Sequence, residues 1–118
     1  MPAGLNDTLL NIGATAMQAV ATHAQLHTAE PNAAGTTNVA TSARQAITWI
    51  TAANGDMVVT ADAAFTGGAA SGPATHVSLW SASSAGTHYG YFALTGDQTF
   101  NAAGEYTLTG ITITGTAT

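Results

Sequence analysis

Residues 74–82 read Ala-Thr-His-Val-Ser-Leu-Trp-Ser-Ala, and residues 21–29 read Ala-Thr-His-Ala-Gln-Leu-His-Thr-Ala. Five of the nine positions are identical. Side chains alternate between the two faces of a strand, so His76, Ser78 and Trp80 share one face and Thr75, Val77 and Leu79 the other. The first copy divides the same way, with His23, Gln25 and His27 opposed to Thr22, Ala24 and Leu26. Leu26, Val77 and Leu79 are the better core side chains. The two copies are therefore expected at the centre of a β domain, with the histidines exposed on the face away from the core.

The rest of the 118-residue chain is consistent with one such domain, residues 1–118. Cysteine is absent, which removes disulfides, thiolate metal sites and thiol nucleophiles together. Charged residues make up 6% of the chain, against about 25% in an ordinary globular domain. Arg44 is the only basic residue and the formal net charge is −5, so neither a nucleic acid nor an anionic membrane surface is an expected partner. Residues 1–20 lack the basic start and compact apolar region of a secretory signal. Apolar residues reach 46%, enough to form a core, though alanine makes up much of that fraction. Threonine, serine, asparagine and glutamine must then carry solubility, which suits a surface that packs against protein.

In chain order, Leu5–Ala19 is the one good helix candidate. Leu5, Leu9, Ile12 and Ala16 repeat at helical spacing, Leu10 and Met17 broaden the stripe, and Asn6 or Asp7 caps the start. Two roles suit it: covering the end of the β domain, or anchoring and oligomerising the chain. Glu30–Ser42 reads as a long exposed loop, a usual location for binding. Ala43–Thr51 alternates with large apolar residues in both phases, predicting a strand that is buried on both sides or contacts a neighbour. Asn54-Gly55 predicts a hairpin turn into Met57–Ala61. A short strand around Phe65, a loop to Pro73, the second Ala-Thr-His strand, His88–Leu94, Gln98–Phe100 and Glu105–Thr114 follow, with a bulge expected at Gly110. The prediction is a mainly β, antiparallel sandwich or jelly-roll-like domain over residues 20–118, preceded by a helical segment over residues 1–19.

No catalytic constellation is legible. His23, His27 and His76 offer a three-histidine metal site, but no carboxylate stands at ligand spacing, and exposed histidines on a sheet face are the plainer reading. The six acids fall mostly in turns, and no nucleophile elbow or phosphate loop is present. Trp49, Trp80, Tyr89 and Tyr91 are candidates for a sugar platform or, more simply, for packing. Arg44 is expected to be held by a carboxylate or by loop carbonyls, fixing the 30–42 loop or a subunit contact. The expectation is a protein with no enzymatic activity and no cofactor.

The ordered series Leu26-His27-Thr28-Ala29-Glu30-Pro31, Ala43-Arg44-Gln45-Ala46-Ile47-Thr48-Trp49, Thr75-His76-Val77-Ser78-Leu79-Trp80-Ser81-Ala82 and Gly104-Glu105-Tyr106-Thr107-Leu108 resembles small tailed-phage virion proteins. Members are labelled tail-fibre-like in phages of Gram-negative hosts, and minor capsid or decoration proteins in some actinobacteriophages. The resemblance implies a virion structural protein. On that reading it decorates the head, with the major capsid protein and copies of itself as partners; the alternative is a tail module binding a host glycan. It also implies a role for Arg44 and Trp49 in the fold or in subunit packing, with His76 and Trp80 as further structural or interface candidates. Relatives are expected to approach the arginine through glycine, serine and tyrosine, where this chain has Val39-Ala40-Thr41-Ser42. The absence of lysine and the abundance of alanine, glycine and threonine suit a GC-rich genome such as that of an actinobacteriophage.

Overall fold

The computed structural model describes residues 6–49, 57–58, 63–94, 96–108 and 112–113. One helix, α1 (Asp7–Val20), precedes eight short strands: β1 (His23–His27), β2 (Gln45–Ala46), β3 (Met57–Val58), β4 (Ala63–Phe65), β5 (His76–Trp80), β6 (His88–Ala93), β7 (Tyr106–Leu108) and β8 (Thr112–Ile113). All pairings are antiparallel. A four-stranded sheet has the order β2-β1-β5-β6, and two ribbons pair β3 with β8 and β4 with β7. The fold is mainly β with a single short helix.

The two nonapeptide copies pair with each other. His23 lies opposite Trp80, Gln25 opposite Ser78 and His27 opposite His76, so a local two-fold axis passes between Gln25 and Ser78. Equivalent contacts repeat across it. Thr22 N–H donates to the Trp80 carbonyl as Thr75 N–H donates to that of His27. In each copy the threonine Oγ1 lies 2.9 Å from Nδ1 of the following histidine. The internal repeat thus reflects one local environment used twice.

Leu26, Ala24 and Val77 on one face of this central pair are fully buried against Phe65, Tyr106 and Leu108 of the β4–β7 ribbon. Sheet and ribbon form two layers around one core. The other face departs from expectation: His27 and Ser78 are 0% exposed, and Gln25 and Trp80 are buried with them. The reason is the 30–42 segment, which folds back over that face instead of projecting as a free loop. Ala40 N–H donates to the Leu26 carbonyl, Thr28 N–H to that of Asn38, and Val39 bridges His27. An Asn32 turn closes the strap, its Oδ1 accepting from Thr36 N–H at 2.8 Å.

Other expectations are refined. Asn6 is the helix cap, its Oδ1 accepting from Leu9 N–H at 3.0 Å. Within residues 43–49 the regular strand is Gln45–Ala46, Ile47 is buried and Trp49 half-buried, while Ala46 and Thr48 are exposed; Ile50 and Thr51 lie outside the described residues. The Asn54-Gly55 turn and Gly110 lie outside the described residues. A bulge does occur between Leu79 and Trp80, where Gly90 opposes Leu79 and His88 opposes Trp80. Gln98–Phe100 contributes one bridge, between Thr99 and Pro73.

Candidate functional site

The face covered by the strap holds buried polar side chains that are hydrogen-bonded to one another or to the strap. His27 Nδ1 lies 3.1 Å from the Thr37 carbonyl, which only accepts, so the proton sits on Nδ1. In the neutral ring Nε2 then accepts from the Ser78 hydroxyl at 2.7 Å, and Ser78 Oγ accepts from Trp80 Nε1–H at 2.7 Å. Gln25 Nε2 donates to the Leu26 and Ser42 carbonyls. Burial pushes the pKa of His27 below its ordinary 6.5; the Thr37 hydrogen bond opposes this, and the neighbouring His88 and His76 add smaller contributions downward. Serine and histidine at 2.7 Å have the spacing of a nucleophile and its base, and here both side chains are fully buried beneath the strap.

Trp80 links this network to Arg44. The guanidinium lies 3.6 Å from the centroid of the Trp80 ring, and its Nη1 donates to the Ala82 and Ala85 carbonyls at 3.2 and 2.6 Å. Arg44 is therefore held by loop carbonyls, those of the 81–87 turn rather than the 30–42 segment. On the other side, Trp80 and His88 have ring centroids 5.0 Å apart. His88 lies under Gly35, whose φ of +70° and absent Cβ permit that approach. Trp49 serves a separate junction: its Nε1–H donates to the Ala21 carbonyl at 2.7 Å, just past the helix C-terminus. The four residues singled out in the sequence thus fall in three places, Trp49 standing by itself at the helix junction. Arg44 and Trp80 touch each other; His76 joins the surface through an edge contact with Tyr91, ring centroids 6.2 Å apart.

Chemistry open to solvent lies along β6. Among the described residues β6 pairs with β5 alone and forms the sheet's edge. Tyr89 and Tyr91 are 47 and 37% exposed, and the Cβ direction of Gly90 between them meets nothing within 4 Å. An open cleft of about 450 Å³ beside them is lined by Ala33, His88, Tyr89, Gly90 and Tyr91. Tyr91 Oη–H donates to Glu30 Oε1 at 2.9 Å, and that bond raises the phenol pKa above its ordinary value. The alternation of β6 singled out both tyrosines; the pairing of Tyr91 with Glu30 across 61 residues of sequence left no local signal. Among the described residues no three His, Cys, Asp or Glu side chains are placed to hold a metal ion, so His23, His27 and His76 do not converge on one.

Comparison with known proteins places this architecture. The family model described as Podophage GP4 fiber I protein gp80 matches residues 3–116. No curated protein and no solved structure matches the chain. The match spans the central strand pair, the strap and the β6 edge together, and agrees with the resemblance to tailed-phage virion proteins while carrying nothing on an actinobacterial host. The chain belongs to the podophage GP4 fiber I protein gp80 family, a phage fibre-type structural protein of the virion.

Proposed function

We propose that this chain is a tail-fibre domain that binds a neutral carbohydrate of the host surface through the cleft beside Tyr89 and Tyr91. The fibre family match supports the tail over decoration of the head, and the open Tyr89-Gly90-Tyr91 edge carries the binding assignment. Sugars present C–H faces that stack on aromatic rings, and hydroxyls that carboxylates accept from. Tyr91 and Glu30, already hydrogen-bonded, supply both groups side by side. Gly90 leaves room for a ring to lie between the tyrosines.

Charge narrows the ligand class. The chain has one Arg or Lys, and that side chain is committed to the Ala82 and Ala85 carbonyls. An anionic polymer would meet a surface of formal charge −5 with no free cation, so the partner is a neutral polysaccharide. The role is adhesion without bond cleavage. Titration calorimetry with neutral polysaccharide purified from the host envelope tests it. Tyr91→Ala and Tyr89→Ala, both at exposed positions, should each weaken binding about tenfold, the equivalent of one stacking contact. Absence of binding, or full binding by both variants with unchanged melting, overturns the assignment.

A further inference from the structure

The 30–42 strap is fastened to the polar face of the sheet by few contacts. Its ends are tied through the backbone: Thr28 N–H donates to the Asn38 carbonyl at 2.8 Å and Ala40 N–H to that of Leu26 at 3.0 Å. Between these ties it rests on two histidines, His27 through the Thr37 carbonyl and His88 beneath Gly35. Between residues 31 and 40 the buried residues are Pro31, Gly35 and Ala40, so little apolar area holds the strap down. The same strap builds the cleft beside β6. Ala33 forms one of its walls, and Glu30 accepts from the Tyr91 hydroxyl.

We infer that the strap is a latch released by acid, with His27 as its catch and the β6 cleft as what it gates. Neutral His27 suits both of its neighbours: Nδ1–H donates to the Thr37 carbonyl, and Nε2 accepts from Ser78, whose Oγ accepts from Trp80. A proton on Nε2 reverses the second bond. Ser78 Oγ then receives two N–H donors, its own hydrogen loses the imidazole as acceptor, and a cation sits where exposure is 0%. The surrounding charges do not offset it. His76 lies opposite on β5, His88 approaches from β6, and Arg44 stands over the Trp80 ring. Glu30 of the strap is engaged by Tyr91 of β6, and both ring nitrogens of His27 face uncharged groups. Lifting the strap between Pro31 and Val39 admits water to the ring, while Leu26 and Val77 on the far face stay packed on the β4–β7 ribbon. It also takes the Ala33 wall from the cleft. The release does not depend on the ligand; its effect on binding rests on the carbohydrate reading.

Amide hydrogen exchange on the full chain, read by NMR and corrected for the intrinsic pH dependence of exchange, tests it. Between about pH 7.5 and about pH 5, protection of the Thr28 and Ala40 amides should fall by up to about thirtyfold, the limit for one histidine titrating from its ordinary value of 6.5. The amides of Ala74 and Leu94, bonded to the Gln98 and Thr75 carbonyls, should keep theirs. In His27→Gln, which carries no charge over this range, the selective fall should vanish. If that variant does not fold, the His27 ring protons of the wild type serve instead, and must titrate together with the strap amides. Strap amides that hold, that fall in step with Ala74 and Leu94, or that fall equally in His27→Gln overturn the latch. Calorimetry with the neutral host polysaccharide at the same two pH values reads the gate: binding should weaken at the lower pH in the wild type and not in His27→Gln. Equal binding at both pH values by a strap that opens would overturn the gating, whereas no binding at either pH would remove the carbohydrate reading and leave the latch to the amides.

Discussion

Arg44 holds the 81–87 turn through two carbonyl oxygens and one indole face. Replacing it with alanine removes a charge-assisted hydrogen-bonding group and its stacking, and should cost about 2 kcal/mol of stability in a denaturant melt. Arg44→Lys keeps the charge but not the planar group, and should recover less than half of that loss. His27 links the same region to pH. The unfolded chain binds a proton at this residue near pH 6.5, while in the fold burial keeps the ring neutral to lower pH. Above pH 6.5 both states are neutral there and the residue contributes no pH slope. Below it the unfolded state binds more protons, so stability falls on acidification by at most about 1.4 kcal/mol per pH unit for this one site. Melts between about pH 7.5 and about pH 5 should show a decline that is shallower in His27→Gln; equal slopes would exclude His27 as its source. The sequence marked Arg44 by its uniqueness and His27 by its place in the repeat. It could not show that His27 is buried, because a polar strand face reads the same whether water or another part of the chain covers it.

At the scale of elements, the 30–42 strap decides which face of the sheet is hidden. Gly35 is its closest approach: a Cβ there would lie 2.5 Å from the His88 ring, and its φ is +70°. Gly35→Ala should therefore destabilise by about 2 kcal/mol, through left-handed strain and displacement of His88. An unchanged melting temperature would mean that the strap contributes little. Gly13 gives the opposite sign. With nothing near its Cβ direction and a position inside α1, Gly13→Ala should stabilise the helix by about 1 kcal/mol, seen as increased helical ellipticity on partial unfolding. The alternation of β1, β5 and β6 was legible because each has one face in a packed layer. Pairing of the two repeat copies was not legible, since identical strand environments predict the same residues whether the strands are neighbours or far apart. The orientation of α1 was also hidden: periodicity gives the apolar stripe but not which way it faces.

Across the whole molecule, charge is scarce, one apolar helix face is turned outward and a tyrosine edge lies open; contact surfaces are our proposed reading of these features. Composition and the ordered motifs reached as far as a virion structural protein. The choice between head and tail was not legible there, because a low-charge β surface suits either lattice packing or a fibre. The fibre family match shifts the reading to the tail. The most direct test is quantitative mass spectrometry of this chain, relative to the major capsid protein, on separated heads and tails. A few copies per particle travelling with tails is the expected result. Copies in proportion to the capsid protein, travelling with heads, would contradict a tail fibre.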